Sequence, residues 1–539
     1  MTQSQIWAAL LLLAPAAMQG QPAAKLTHRS QKPQLILAII VDQFRYDYTT
    51  RFAARYTGGL HTMLTGGAVY LDAHQDHFPT VTAAGHSTFL TGSVPATSGI
   101  IGNEWYDRAS GKTITSVEDP KTTLLGATGG AEGSSPHNLL VSTLGDEIKI
   151  ADGGATKVIG ISMKDRAAIL PAGYMADAAY WVDGGTGNVV SSTWYMSALP
   201  DWVQQFNAGR PAEAALGKSW YPLGAEHGKA FMTLASAPGK PYFSKWEETP
   251  WANDMLESLA EQAMAHEQLG RHNGTDLLAV SFSANDHLGH AVGPDAPEVE
   301  DMSVRTDLVL SKLLAAERAG GGREHLLVIF SSDHGVAPKP EVMEARKMGG
   351  GRADRKQFAQ TVNDALTARW GPGKWLLANS EIGMWLNYDL IVEKKLTRAE
   401  VEGEAARAAA TLPYIARVYT RQQFLSHAAI ADTIDRYMQR GFFADCGADM
   451  WAVQKPYWLF STEGNSHGTP YIYDSHVPLI FWGAGVREGV YPETVGISDV
   501  APTLAALLRI ATPTGSIGQI LPEIVPPSNA FAAHFSPRR

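Results

Sequence analysis

"LILAIIVD", residues Leu35 to Asp42, is an unbroken apolar run that stops on a carboxylate. Its length and its Ile, Leu and Val content fit a strand buried on both faces, as in a parallel sheet. Three further runs read the same way: "KVIGIS" (Lys157 to Ser162), "DLLAVSF" (Asp276 to Phe282) and "HLLVIF" (His325 to Phe330). "VPLIFWG" (Val477 to Gly483) is a fifth strand candidate. Helical patterns fall between some of them. "DMSVRTDLVLSKLLAAERAG" places Val304, Leu308, Leu313 and Leu314 near helical spacing and ends in glycines before the next strand. Strands alternating with helices predict an α/β fold, a mostly parallel central sheet flanked by helices.

Two regions break that rhythm. Residues from about 105 to 255 are rich in Gly, Ser, Trp and Pro and have weak periodicity. Residues 338–460 carry "KMGGGRADRK", a strand-like "IGMWLNY", a helical "TRAEVEGEAARAAATL" and a strand-like "YIARVYT". Both read as insertions that cap the sheet. The expected organisation is a catalytic core over 33–337 and 461–510, interrupted at about 105–255, a cap at 338–460 and a tail at 511–539. There are no internal repeats. The glycine runs 320–322 and 349–351 fit no phosphate-loop pattern and read as turns.

The chain has 539 residues, 45% hydrophobic and 18% charged, a globular balance. Its formal net charge of -10 and the lack of a long basic run argue against a nucleic-acid partner. "IWAALLLLAPAA" (Ile6 to Ala17), followed by small residues, reads as a signal peptide over residues 1–24, although "MTQSQ" lacks Lys and Arg. The expected location is periplasmic or secreted. No later stretch is apolar for the ~18 residues that a membrane span needs. The single cysteine, Cys446, excludes an intrachain disulfide and Cys-based metal sites. Any metal must be held by His, Asp, Glu or hydroxyl groups.

Ligands in open α/β sheets bind at the carboxyl ends of strands. The first run ends at Asp42. The second leads to "MKDR", with Lys164 and Arg166. The third leads to "SANDHLGH", with Asp286 and His290, and the fourth to "SSDHG", with Asp333 and His334. Each has an ordinary reading as a cap, a solvated turn or a polar loop; four together point to a site. Asp286 and His290 are four apart and share a helix face, so they can share one metal ion. "NSHGTP" offers His467 as a third ligand. "FPTVTAAGHSTFLTG" (Phe78 to Gly92) concentrates hydroxyls at the start of a helical pattern. On composition alone Thr80, Thr82, Ser87 and Thr88 all remain candidate nucleophiles, and Thr82 could simply cap the helix.

Taken in order, Asp42, "FPTVTAAGHST", "GIIGNEWY", "SMKDR", "DHLGH", "SSDHG" and "NSHGTP" resemble the alkaline phosphatase superfamily, and within it the PafA-type alkaline phosphatases. The resemblance runs from about Leu35 to Leu508. It implies two Zn²⁺ per subunit, one held by Asp286, His290 and His467, the other by Asp42, Asp333 and His334. It implies that Thr82 is the nucleophile and also contacts the second zinc. Asn103, Lys164 and Arg166 would bind the phosphoryl group, and His86 would be a supporting residue. The implied reaction is hydrolysis of small phosphate monoesters through a phosphothreonine. The resemblance leaves the oligomeric state open.

The competing reading is a nucleotide pyrophosphatase/phosphodiesterase. It shares the metal ligands, the threonine and the asparagine, but lacks the Lys-x-Arg pair that "SMKDR" supplies. Two cations suit a monoester, which carries more negative charge on its nonbridging oxygens than a diester does. A sulfatase would need Cys or Ser in a modification motif at the nucleophile. A zinc- or phosphate-binding protein without turnover would fit the ligands but leave Thr82 without a purpose.

Overall fold

The computed structural model describes residues 32–127, 131–318, 322–381, 383–426 and 430–525. The proposed signal peptide and the end of the tail lie outside them. An eleven-stranded sheet runs through the described chain. Its strands are β1 (Leu35–Val41), β2 (Ala68–His74), β3 (Glu118–Leu125), β4 (Glu132–Ser134), β5 (Val158–Ser162), β6 (Ala178–Val182), β7 (Val189–Ser192), β8 (Asp276–Phe282), β9 (Leu326–Ser331), β10 (His476–Gly483) and β11 (Gly489–Gly496). The spatial order is β11-β2-β10-β9-β1-β8-β5-β6-β7-β3-β4.

The centre, β9-β1-β8-β5-β6, is parallel. The flanks are not. β10, the fifth predicted strand, runs antiparallel to both β9 and β2. β7, β3 and β4 extend the other edge in antiparallel pairs. The sheet is therefore mixed, with its parallel part where the helical crossovers fall.

Burial explains the central runs. Leu35, Leu37, Ile39 and Val41 face one apolar core, with Leu256 and Leu259 of α3 (Pro250–His266) and Leu310 and Leu313 of α5 (Pro297–Arg318). Ile36, Ala38 and Ile40 face the other, with Phe89 and Leu90 of α1 (Thr82–Thr91). Alternate side chains thus enter opposite layers, so the strand has no polar face. Of the predicted apolar stripe on α5, Val304, Leu313 and Leu314 are buried, while Leu308 is 37% exposed.

The 105–255 segment is not a cap. It supplies β3 to β7, extending the main sheet, and ends in the start of α3. Of its edge strands β4 and β7 are only three and four residues long and β3 mixes charged residues with Thr and Leu, which hides their period. The 338–460 segment carries a second sheet. Leu376–Ser380, Gly383–Leu386, Met450–Gln454 and Ile415–Thr420 make a four-stranded sheet. Helices Arg355–Trp370 and Arg398–Ala410 pack on it around Phe358, Val362, Trp375 and Val401. The unit meets the main body where Trp451 packs 5.6 Å from Phe78, just ahead of α1. Leu521 and Ile524 of the tail are buried in the main core. Among the described residues no helix is long and apolar enough to cross a membrane.

Candidate active site

Strand register gathers the site. Val41 pairs with Phe282, Ile40 with Ser331, and Ser281 with Ser162. Four strands therefore end at one level. The residues that follow them, Asp42, Asp286, Asp333 with His334, and Lys164 with Arg166, all emerge at the same sheet edge. Asp286 and His290 sit on α4 (Ala284–Val292), and Lys164 precedes α2 (Asp165–Ala172). His467 arrives from the loop between the cap and β10.

Thr82 is the first residue of α1 and 1% exposed. Val81 before it provides no side-chain cap. The helix dipole at this turn favours an anion. Asn103 reaches this turn, its Oδ1 accepting from Ala83 N at 2.9 Å and from Arg166 Nε at 3.1 Å. That use of the carbonyl leaves the Asn103 amide as a donor. Lys164 Nζ lies 3.4 Å from Thr82 Oγ1, 2.6 Å from Asp42 Oδ2 and 2.5 Å from Asp286 Oδ2. Two of the rivals are engaged elsewhere: Thr80 Oγ1 donates to Thr469 O at 2.8 Å, and Ser87 Oγ to Ala84 O at 3.0 Å; Thr88 Oγ1 is buried without a hydrogen-bond partner, nearly two helical turns beyond Thr82.

The histidines are oriented alike. His290 Nδ1 faces Asn465 O, His334 Nδ1 faces Gly335 O, and His467 Nδ1 faces Thr80 O, at 2.8, 2.9 and 2.8 Å. Backbone carbonyls accept only, so each Nδ1 carries the proton and each Nε2 presents a lone pair. Those lone pairs point at carboxylates. His290 Nε2 and His467 Nε2 are 3.2 and 3.6 Å from Asp286 Oδ1. His334 Nε2 is 3.3 Å from Asp42 Oδ1 and 3.4 Å from Asp333 Oδ2. Asp42 Oδ1, Asp333 Oδ2 and His334 Nε2 are all buried without a hydrogen-bond partner. Acceptors facing acceptors in a dry site call for a cation between them.

The electrostatics agree. Burial, then Asp286 and Asp333, push the Asp42 carboxyl well above the usual range despite Lys164. Burial opposes ionisation of Asp286, and its neighbours His290 and Lys164 outweigh it, holding that carboxyl well below the range. Burial holds the His334 and His467 rings below their ordinary value, and so neutral. Three carboxylates beside one ammonium leave negative charge that a metal ion would balance.

Two groups of possible ligands emerge: Asp42, Asp333 and His334; and Asp286, His467 and again His334. His334 and His467 stack 3.5 Å apart, so the groups adjoin. His290, 40% exposed, approaches Asp286 from the solvent side. His287, on the same helix, turns to Glu247 instead. The residues present fit metal ions in number and kind.

Sequence reasoning missed Gln43. Gln43 donates through Nε2 to Asp286 Oδ1 at 2.5 Å and through its backbone N to Asp333 Oδ1 at 3.3 Å. It adopts φ 64°, and Gly289 opposite has no side chain to block it. Its position next to Asp42 was the available signal. His86 Nδ1 lies 2.8 Å from Thr82 O and 3.1 Å from Asp333 Oδ2, tying α1 to the ligand loop. A cavity of about 520 Å³ opens beside Asn103 and Arg166, and Arg355, Asn379 and Glu381 of the cap form its far wall.

The comparisons with known proteins agree with this geometry. The family model for type I phosphodiesterase / nucleotide pyrophosphatase matches residues 36–466. Alkaline phosphatase PafA from Elizabethkingia meningoseptica is 30% identical over 95% of this chain and 98% of its own. Alkaline phosphatase PhoV from Synechococcus elongatus is 33% identical over 92% and 93%. A protein from Myroides odoratus named calcium-transporting ATPase is 32% identical over 93% and 96%. The crystal structure of PafA superposes with a TM-score of 0.86 at 30% identity, covering 92% of this chain and 99% of that one. Murine ectonucleotide pyrophosphatase / phosphodiesterase 5, at 14% identity and a TM-score of 0.53, shares the fold. The chain belongs to the type I phosphodiesterase / nucleotide pyrophosphatase family and, within it, to the PafA-type alkaline phosphatases.

Proposed function

We propose that this chain is a metal-dependent alkaline phosphatase that hydrolyses phosphate monoesters with Thr82 as its nucleophile. The observation that carries the reading is the set of histidine Nε2 atoms and carboxylate oxygens converging beside Thr82 at the N-terminus of α1. Asp286, His290 and His467 would hold one Zn²⁺; Asp42, Asp333 and His334, with Thr82, would hold the other. Divalent ions bound there lower the pKa of a coordinated hydroxyl and offset charge on the reacting oxygens.

The chain's own residues do the rest. The N-terminus of α1, the Asn103 amide, Arg166 and Lys164 hold the nonbridging oxygens of the substrate. Thr82 Oγ1 attacks phosphorus in line; the ester P–O bond breaks and the alkoxide leaves with the proton that Thr82 gave up. Water then attacks the phosphothreonine, releasing phosphate and restoring the hydroxyl. The transition state is loose, so catalysis is mainly positioning and charge. The pocket wall from the cap would contact the leaving group. The apolar N-terminal run is read as an export signal, placing the reaction outside the cytoplasm.

The family model also favours a second reading, cleavage of phosphate diesters. Lys164 beside Arg166 weighs for monoesters, so diester cleavage is read as a side activity. Acid quenching during turnover of an aryl phosphate, with peptide mapping, tests the proposal: the phosphate should sit on Thr82. Full turnover with phosphate on Thr80, Ser87 or Thr88, or on none of them, would reject it.

A further inference from the structure

We propose that Asp72, His74 and His476 form a separate site for a divalent transition metal of the Zn²⁺ type, on the flank of the sheet. The strands dictate it. β2 and β10 are antiparallel, with His74 paired to His476 in register. Paired side chains on one face stand within about 5.5 Å of each other. Asp72, two residues before His74, shares that face. One ligand atom from each of the three lies within 4.8 Å of the other two.

The ligands are held in place. His476 Nε2 is 2.9 Å from the Leu71 carbonyl, so it carries the proton and Nδ1 presents the lone pair. Tyr46 stacks on the same ring at 4.1 Å, and His74 at 4.9 Å. His74 Nε2 lies 2.8 Å from Asp72 Oδ1, while its Nδ1 is buried without a hydrogen-bond partner. The Thr494 hydroxyl donates to Asp72 Oδ2 and fixes the carboxylate. Burial, then the neighbouring His74, keeps the His476 ring below its ordinary value. A hydrogen bond between Asp72 and His74 explains two of the residues, but not the third ring locked beside them with a free nitrogen.

Two imidazoles and one carboxylate select Zn²⁺, Ni²⁺ or Cu²⁺ over Ca²⁺ and Mg²⁺. All three residues are partly exposed, so water can complete the coordination. Tyr46 N donates to His476 O at 3.2 Å, which joins this flank to the loop that begins at Asp42. An ion here would clamp β2, β10 and that loop together, a structural role independent of Thr82.

The test uses the full chain, stripped with a chelator and dialysed to equilibrium against micromolar Zn²⁺, with bound metal counted by atomic emission. The His74→Gln/His476→Gln variant should hold one equivalent less than the parent, with aryl phosphate kcat/KM within about twofold, since neither residue is part of the Thr82 cluster. Equal counts overturn the site. If that variant does not fold, Asp72→Asn keeps both rings and should weaken Zn²⁺ at this site by about tenfold. Unchanged affinity in Asp72→Asn overturns the site as well.

Discussion

Lys164 Nζ lies 3.4 Å from Thr82 Oγ1 while bridging Asp42 and Asp286. One ammonium therefore touches the nucleophile and one carboxylate from each ligand group. Removing it takes positive charge from where a dianionic phosphoryl group must sit. Lys164→Ala should lower kcat/KM for an aryl monoester by roughly 10² to 10³-fold and for the matching diester by much less. Steady-state kinetics on both substrates check this; equal losses contradict the charge argument.

Thr82 begins α1, where Ala is a good helix former, so Thr82→Ala should fold normally. Turnover should fall by about 10³-fold or more, with bound zinc retained. Metal analysis beside kinetics separates the two effects. Activity near that of the parent would remove Thr82 from its role.

The ligand groups make metal loss a measurable event. Chelation should abolish activity and lower Tm, and Zn²⁺ should restore both. Asp286→Ala should bind less zinc, because Asp286 meets both His290 and His467. Undiminished metal content in that variant contradicts the assignment.

Gly85 of α1 packs against the Asp333 backbone so closely that a Cβ would stand 2.2 Å from Asp333 O. Gly85→Ala should destabilise by about 1–3 kcal/mol and displace the Asp333–His334 loop. Denaturant melts and zinc content should fall together; a stable variant with full metal would contradict this coupling.

Asp474 is buried, and burial raises its carboxyl to about 7 against hydrogen bonds from Thr469. The folded state then binds the extra proton between about pH 4 and 7. Stability from this group falls as pH rises through that window, and the cost is complete above it. Asn cannot ionise but keeps an oxygen for the Thr469 donors, at 2.8 and 2.6 Å. Asp474→Asn should therefore raise Tm over the parent by roughly 2 °C or more at pH 8, with less gain at pH 5. An equal shift at both values contradicts the assignment of charge.

The central strands were legible because burial on both faces leaves continuous apolar runs, and the charged residues directly after them mark the sheet edge. Asp42, Lys164, Asp286 and Asp333 were found that way. His467 comes from a glycine-rich loop that follows no strand, so the sequence offered it only as a third ligand for the Asp286–His290 pair, and the resemblance assigned it there. Gln43 was not legible as a partner, because its contacts reach across more than 240 residues of sequence. The edge strands β3, β4 and β7 were misread as part of a cap, since polar or very short strands lack a clear period. Arg355, Asn379 and Glu381 reach the pocket only through the docking of the cap.

The most direct test of the account is the ratio of kcat/KM for an aryl phosphate monoester to that for the matching diester, on purified zinc-loaded protein. The Lys164–Arg166 pair predicts a monoester preference of at least about 100-fold. A ratio near one, or a preference for the diester, would contradict the monoesterase reading and place the Thr82 site among the diester-cleaving members of the family.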